Sequence, residues 1–219
     1  MKGNKNRTIW TVTYLNKIIS KSSMNFDKKK KGCLSKIDKS KKGSVDKKIK
    51  KLVDLINSLK DYYTTSSCSG RILLIKRPKS GKKCDVDFLF ESHNKVSFDE
   101  IREKLKSIPE QDVWFRQESM ILHVACRTIK NAQKILDLSS STGFKHSGII
   151  TTRKKIIVEI IGSEQFDTII AKHGKLFVGD EYLRLLVNEA NKKLDINNGK
   201  IKKFYKLVND FKTQMVQSS

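Results

Sequence analysis

The residues best equipped for chemistry lie in one short run, Thr64-Thr65-Ser66-Ser67-Cys68-Ser69-Gly70-Arg71. Small side chains and Gly70 let a backbone approach a ligand closely. The hydroxyls, exposed N–H groups and Arg71 are suited to hold a carboxylate or a phosphate. The same composition also describes an ordinary polar turn. Cys68 within it reads either as a small buried residue or as a nucleophile. Histidines form the second group: His93, His123 and His146 each lie in or at the end of a strand-like segment, whereas His173 falls in a polar stretch. His123 alternates with Leu122 and Val124 and so points away from them, as a hydrogen-bonded structural residue or as a proton acceptor near neutral pH.

Spacing argues against a preassembled metal centre. Cys33, Cys68, Cys84 and Cys126 are far apart, with no C-x-x-C pair, and no H-x-x-x-H or H-x-H occurs. Neither a zinc clip nor an iron–sulfur cluster is expected, no metal should be required, and the thiols should be reduced. No stretch approaches the roughly 20 apolar residues of a membrane span, and the start lacks an apolar run and cleavage site, so a cytoplasmic protein without membrane partners is expected.

Charge points to a polyanion. The 219 residues carry 46 Lys plus Arg against 23 Asp plus Glu, a formal charge of +23. Residues 1–50 hold sixteen of the bases against Asp27, Asp38 and Asp46, hence +13 of that total. Nucleic acid is the first candidate partner and an anionic membrane the second, although lysine runs also serve simply as solvated surface. Lys28 to Lys31 and Lys36 to Lys42 are too polar to bury and are read as loop or marginal helix. Residues 1–23 are set apart as a disordered extension or a misread start, leaving 24–219 as one catalytic domain with C-terminal helices.

The elements that must position these groups are legible from periodicity. Val45, Ile49, Leu52, Val53, Ile56 and Leu59 repeat at helical spacing to about Tyr62, behind Ser44 as N-cap. Strands are expected at Arg71–Lys76 and Cys84–Glu91, paired as a hairpin, and Ser97 with Glu100 has capping-box spacing for a helix to about Ser107. Further strands are expected at Val113–Gln117 and Met120–Cys126, then a helix from Thr128 stopped at Gly143, and a hairpin of Ser147–Thr151 with Lys155–Ile161. Two helices, about Asp180–Leu194 and Gly199–Met215, complete the chain. The order predicts an α+β fold with a mixed or antiparallel sheet and flanking helices, compatible with a duplicated strand-strand-helix unit. A Rossmann fold is not indicated: Glu159-Ile160-Ile161-Gly162-Ser163 has a single glycine and only weakly mimics the nucleotide-binding turn.

Five ordered blocks together resemble a known family: residues 38–46 (DKSKKGSVD), residues 65–72 (TSSCSGRI), Phe90-Glu91-Ser92-His93, Ile121-Leu122-His123-Val124, and Gly143-Phe144-Lys145-His146-Ser147-Gly148. The chain is similar, over about Asn25 to Asn191, to the third methylating enzyme of tRNA wybutosine synthesis. Phe88 stands where that family has tryptophan, and Ser119 where proline often precedes the Ile-Leu-His-Val block; neither departure removes a reacting group. The resemblance implies methylation of the N4 nitrogen of a tricyclic, guanosine-derived base carrying an aminocarboxypropyl arm, beside the anticodon of phenylalanine tRNA. It implies S-adenosylmethionine as donor, and the scattered cysteines exclude the radical use of that donor. Ser67, Cys68, Ser69, Gly70, Arg71, Ser147 and Gly148 are then candidates for the donor site. His123, followed by His93 and His146, is the candidate proton acceptor. Lys28, Lys29, Lys30, Lys31, Lys39 and Lys42 would grip phosphates, and Trp114, with Phe115, would stack on a flipped-out base unless both are core. A noncatalytic tRNA-binding protein is the alternative; a cysteine hydrolase built on Cys68 is a third reading without a local signature.

Overall fold

The computed structural model describes residues 25–35, 45–77 and 87–217. In chain order the elements are α1 (25–34), α2 (Lys47–Ser58), β1 (Tyr62–Cys68), β2 (Arg71–Arg77), β3 (Asp87–Ser92), α3 (Phe98–Lys104), β4 (Asp112–Glu118), β5 (Ile121–Cys126), α4 (Ile129–Ser141), β6 (Gly148–Thr151), β7 (Ile156–Ile161), β8 (Phe166–Lys172), β9 (Lys175–Leu176) and α5 (Asp180–Gln217).

The strands form two antiparallel sheets, β1-β5-β7-β6 and β3-β2-β4-β8-β9. Three connections pass directly from one sheet to the other: 69–70 after β1, 119–120 after β4, and 162–165 after β7. Their registers are continuous, since Cys68 lies opposite Ile121 and Arg71 opposite Glu118. The two sheets therefore behave as one antiparallel surface bent along a seam. No parallel pair occurs among the described strands, so the fold is α+β and not Rossmann. The strand-strand-helix order is visible twice along the chain, but β2 and β3 pair with each other whereas β4 and β5 divide between the sheets.

One face of the bent surface carries the helices. Leu122, Val124, Val158 and Ile160 pack under α2, α4 and the second half of α5, while Ile72, Leu74, Val113 and Phe115 pack under α3 and its first half. The helix α5 serves both cores because its apolar residues keep one stripe across 38 residues, about 57 Å at 1.5 Å per residue. Two separate C-terminal helices were expected, and the chain forms one. Leu194, Asn197 and Ile201 continue the buried stripe through the expected break, and Gly199 stands on the exposed side with open space around it.

Three other expectations change. Ser44 lies outside the described residues, and the N-cap of α2 is Asp46, whose carboxylate makes no cap hydrogen bond because it is engaged elsewhere. The hydroxyl-rich run is not a loop: Tyr62–Cys68 is a strand on β5, with a bulge between Thr64 and Ser66 that absorbs the extra residue. Lys28 to Lys31 belong to helix α1, anchored by Phe26 and Cys33 against Tyr63, Ala125 and Ile157. The strands β8 and β9 were not anticipated; polar Asp167, Thr168 and Lys172 interrupt the apolar pattern there. The capping box at Ser97, the Thr128 N-cap and Gly143 at φ +97° follow expectation. Cys33, Cys68 and Cys126 are free thiols, while Cys84 lies outside the described residues. No described helix is long and apolar enough to cross a membrane.

At the seam, fully buried Asn197 donates from Nδ2 to the Ser69 carbonyl and accepts the Met120 N–H at Oδ1, each at 2.8 Å. Replacing Asn197 by Leu should destabilise the fold by about 2–6 kcal/mol, since two buried backbone groups each lose a partner at about 1–3 kcal/mol. Gly199→Ala, one turn face away, should instead stabilise by about 0.5–1 kcal/mol. Urea unfolding with unchanged slope checks both signs; an Asn197→Leu protein as stable as the parent would remove the seam from its structural role.

Candidate functional site

The seam gathers residues that are far apart in sequence. Ser69 donates its N–H to Asp46 Oδ2 at 2.9 Å, and Asp46 Oδ1 lies 3.3 Å from His93 Nε2. His93 Nδ1 lies 2.9 Å from the Gly70 carbonyl and 3.4 Å from Ser69 Oγ. A carbonyl only accepts, so Nδ1 carries a proton and donates, leaving Nε2 to face carboxylates. Gly70, at φ +90°, is required by space as well as by torsion. An added Cβ would stand 2.7 Å from the Glu118 carbonyl oxygen and 3.1 Å from Asn197 Nδ2.

Arg71 extends from this corner onto the face opposite the helices. Its Nη1 donates to Glu91 Oε1 at 2.6 Å and its Nε to Glu118 Oε2 at 2.8 Å, with the guanidinium 5.3 Å from the Phe88 ring centroid. Burial disfavours its charge, but the hydrogen bond and charge of Glu118, with Glu91, outweigh it and raise the Arg71 pKa. The alternation continues outward. Arg116 Nη1 lies 3.6 Å from Glu118, Arg116 Nη2 donates to Asp167 Oδ2 at 2.6 Å, and Arg77 Nη2 donates to the same oxygen at 3.0 Å. The result is a ladder, Glu91, Arg71, Glu118, Arg116, Asp167, Arg77, of three acids and three bases. Exposed pairs of this kind contribute only about 0–1 kcal/mol each, so stability alone does not account for the ladder.

On the same face of the other sheet, Ser66, His123, Glu159 and Gly148 form one lateral row. His123 Nε2 lies 2.8 Å from Glu159 Oε2. A carboxylate oriented this way fixes the tautomer with hydrogen on Nε2 and leaves Nδ1 as the free lone pair. Ser66 near the end of β1 and Ser69 in the crossing that follows are three residues apart, so the His123 and His93 stations are separated by about 10 Å at about 3.3 Å per residue.

The histidines therefore occupy separate stations: His93 at the seam, His123 mid-sheet with Glu159, and His146 exposed in the turn before β6. Ser67, Cys68, Ser69, Gly70 and Arg71 lie along the seam. Ser147 caps the start of β6, its Oγ donating to the Phe144 carbonyl and accepting the Ile161 N–H. Gly148 pairs with Glu159 and has open space where a side chain would stand. Lys28 and Lys31 are exposed on α1, but Lys29 and Lys30 donate to the carbonyls of Lys154 and Leu59 and tie the helix down. Burial lowers the Lys30 pKa. Lys39 and Lys42 lie outside the described residues. Trp114 is half-buried with Arg77 stacked 4.0 Å from its ring centroid, and Phe115 is core.

Sequence reasoning missed Asp46, Glu118, Glu159, Arg116, Asp167 and Asn197 as parts of this arrangement. Glu159 carried a signal, since it is the one charge inside the apolar strand Ile156–Ile161. Asp46, Cys68 and His93 also bring a carboxylate, a thiol and an imidazole within 4.8 Å of one another, a juxtaposition invisible in their spacing. A metal there would need the thiolate, and burial pushes the Cys68 thiol up against the pull of the Gly70 hydrogen bond and Arg71.

The chain is an α+β protein whose two antiparallel sheets meet in a polar, glycine-lined seam. The family described as Methyltransferase TYW3 matches residues 28–210. A Pyrococcus horikoshii protein named tRNA(Phe) 7-((3-amino-3-carboxypropyl)-4-demethylwyosine(37)-N(4))-methyltransferase 1 is 38% identical over 187 residues, 84% of this chain and 95% of its own. The human tRNA wybutosine-synthesizing protein 3 homolog is 36% identical, covering 84% of this chain and 72% of its own. A solved Pyrococcus horikoshii structure superposes with TM-score 0.79 at 38% identity, covering 85% of this chain and 97% of that one. A hypothetical protein from Aeropyrum pernix follows with TM-score 0.65 at 26% identity, covering 75% and 98%. The chain belongs to the TYW3 methyltransferase family and is an enzyme of that class.

The raised Cys68 thiol gives a test of the nucleophile reading. With less thiolate at neutral pH than an ordinary thiol of 9.0, Cys68 should be alkylated slowly, at a rate still climbing above that value. Mass-mapped iodoacetamide labelling across pH checks this. A rate that levels off well below pH 9.0 would signify an activated thiolate and revive the hydrolase.

Proposed function

We propose that the chain methylates the N4 nitrogen of the 7-aminocarboxypropyl-demethylwyosine base of phenylalanine tRNA, as its relatives are named to do, and that its methyl donor is S-adenosylmethionine. One observation supports this beyond the names. The resembling blocks, separated by up to a hundred residues, meet on the seam and the adjoining row: Asp46, Ser69 to Arg71, Glu91 with His93, His123, and Gly148 beside Glu159. Residues 24–219 act as one catalytic domain in a cytoplasmic protein, and no metal is required.

The seam suits such a donor. Its methionine tail carries one carboxylate and one ammonium, and Arg71 between Glu91 and Glu118 presents both complementary charges beside the tightly packed Gly70 corner. When bound, S-adenosylmethionine supplies a methyl group on a sulfonium, open to in-line displacement. The protein's own contribution is alignment and one proton path. Arg71, Glu91 and Glu118 hold the tail; Asp46 and His93 fix the Ser69–Gly70 backbone; Ser67 and Cys68 line the strand between the two stations. Glu159 holds His123 with its Nδ1 lone pair free to take the proton released from the acceptor nitrogen. Ser147 ties the turn to β7, and Gly148 leaves the far end of the row open. Lys28 and Lys31, with Lys39 and Lys42 further along the sequence, supply phosphate contacts, and Trp114 beside Arg77 supplies a stacking platform.

Purified protein, donor and tRNA bearing the arm-carrying base should yield a nucleoside heavier by one methyl group, with unmodified tRNA unchanged. Tight tRNA binding with no mass change would favour the noncatalytic reading. His123→Ala should lower turnover by about 10²–10⁴-fold, the usual contribution of a general base, with donor affinity retained. Binding should weaken steeply across a salt series as counterions are released, and a flat series would remove the lysines from phosphate contact.

A further inference from the structure

Resting on that reading, we infer that the outer half of the charge ladder, Arg116, Asp167 and Arg77 beside Trp114, recognises the aminocarboxypropyl arm of the base and sets specificity for arm-bearing tRNA. The two reactants share a chemical group. The proposed donor ends in an α-amino acid, and the base named for the relatives carries a 3-amino-3-carboxypropyl arm, which also ends in one. A site that brings both together needs two separate places offering a cation and an anion at once.

The ladder provides two. The inner place is Arg71 with Glu91 and Glu118, half-buried beside the seam. The outer place is Asp167, which accepts from Arg116 at 2.6 Å and from Arg77 at 3.0 Å. Arg116 also reaches Glu118 at 3.6 Å, so the two places adjoin without coinciding. The carboxylates of both places and Arg116 are similarly accessible, at 30–39%, and the difference lies in the arginines, since Arg77 is 40% accessible against 26% for Arg71 and is the one more open to a ligand. Position assigns the arm outward, because the Arg77 guanidinium carbon sits 4.0 Å from the Trp114 ring centroid at the end of the ladder remote from the seam. A base held at the seam, with its acceptor nitrogen toward the donor place, reaches Arg116 and Asp167 with its arm. Spare guanidinium N–H groups meet the arm's carboxylate, and Asp167 meets its ammonium.

The test compares binding of full-length protein to two phenylalanine tRNAs that differ only in the presence of the arm, at one salt concentration. Nonspecific phosphate contacts cancel in the ratio of the two affinities. Wild-type protein should prefer the arm-bearing tRNA. Arg116→Gln and Asp167→Asn should each cut that preference by about tenfold or more, as loss of a charge-assisted contact does, while Arg71→Gln should weaken donor binding and leave the preference in place. Because these positions are exposed, Arg77→Gln serves as a further variant if one of the others fails to fold. Equal affinity of the wild-type protein for both tRNAs overturns the inference. So does a preference intact in all three outer variants, or one abolished by Arg71→Gln alone. Failure of methyl transfer by the wild-type protein strikes instead at the proposed function, and the two outcomes are read in different assays.

Discussion

Everything near the site hangs on Asn197. Three strands cross from one sheet to the other at the same level, and crossing breaks the ladder, leaving backbone groups in the interior that sheet pairing no longer satisfies. Asn197 takes two of them, the Ser69 carbonyl and the Met120 N–H, and thereby locks adjacent crossings to the long helix. Ser119 and Gly162 lock the third, through the Ser119 hydroxyl on the Gly162 carbonyl and the Gly162 N–H on the Met120 carbonyl. The crossings are close enough that a methyl group on Gly70 or Gly162 would meet a neighbour at 2.7 or 2.9 Å. A polar, glycine-lined seam with fixed carbonyls is thus a by-product of bending the surface, and it is where the proposed chemistry is placed. His93 is positioned by one of those carbonyls and Asp46 by one of the freed N–H groups.

Local signals were legible where a local force decides. The capping box at Ser97, the Gly143 stop, the alternation of His123 with Leu122 and Val124 in β5 and the β-branched run of β7 each depend on neighbours within a few residues, and each was readable from sequence. Elements decided by long-range contact were not. Polar Thr64 to Ser67 looked like a loop because nothing nearby reveals that β5 supplies their partners. The C-terminal helix was read as two, ending near Leu194 and resuming near Gly199, and between them Asn197 is buried against partners 128 and 77 residues away. The lysine run of α1 looked too polar to pack, yet Phe26 and Cys33 at the spacing of two helical turns give it a narrow apolar stripe against Tyr63.

The site shows the same division. His93, His123 and the Ser69 to Arg71 stretch were identifiable by residue type, and their partners were not. A carboxylate becomes functional through what it faces: Glu159 through His123 across a strand pair, Asp46 through Ser69 and His93 across the seam. The cross-strand register that creates these pairs is set by apolar alternation on the opposite face, where Leu122, Val124, Val158 and Ile160 fill the core. A slip of one residue would bury His123 and expose the core, so the packing energy of one face fixes the chemistry of the other.

Charge is partitioned in a way that follows from the two tasks of the proposed reaction. The chain carries +23 overall, but the ladder from Glu91 to Arg77 pairs three acids with three bases and is neutral. Attraction of a polyanion acts over the screening length, about 8 Å at physiological salt, and is indifferent to which base arrives. Discrimination between zwitterionic groups requires the opposite, both signs held at hydrogen-bond distance by a rigid frame. A net-positive site would hold any phosphate as firmly as an amino acid. Neutralising the site while leaving the excess charge on other surfaces lets one molecule capture RNA broadly and select chemically, provided that the frame is stiff, and the Asn197 seam supplies that stiffness.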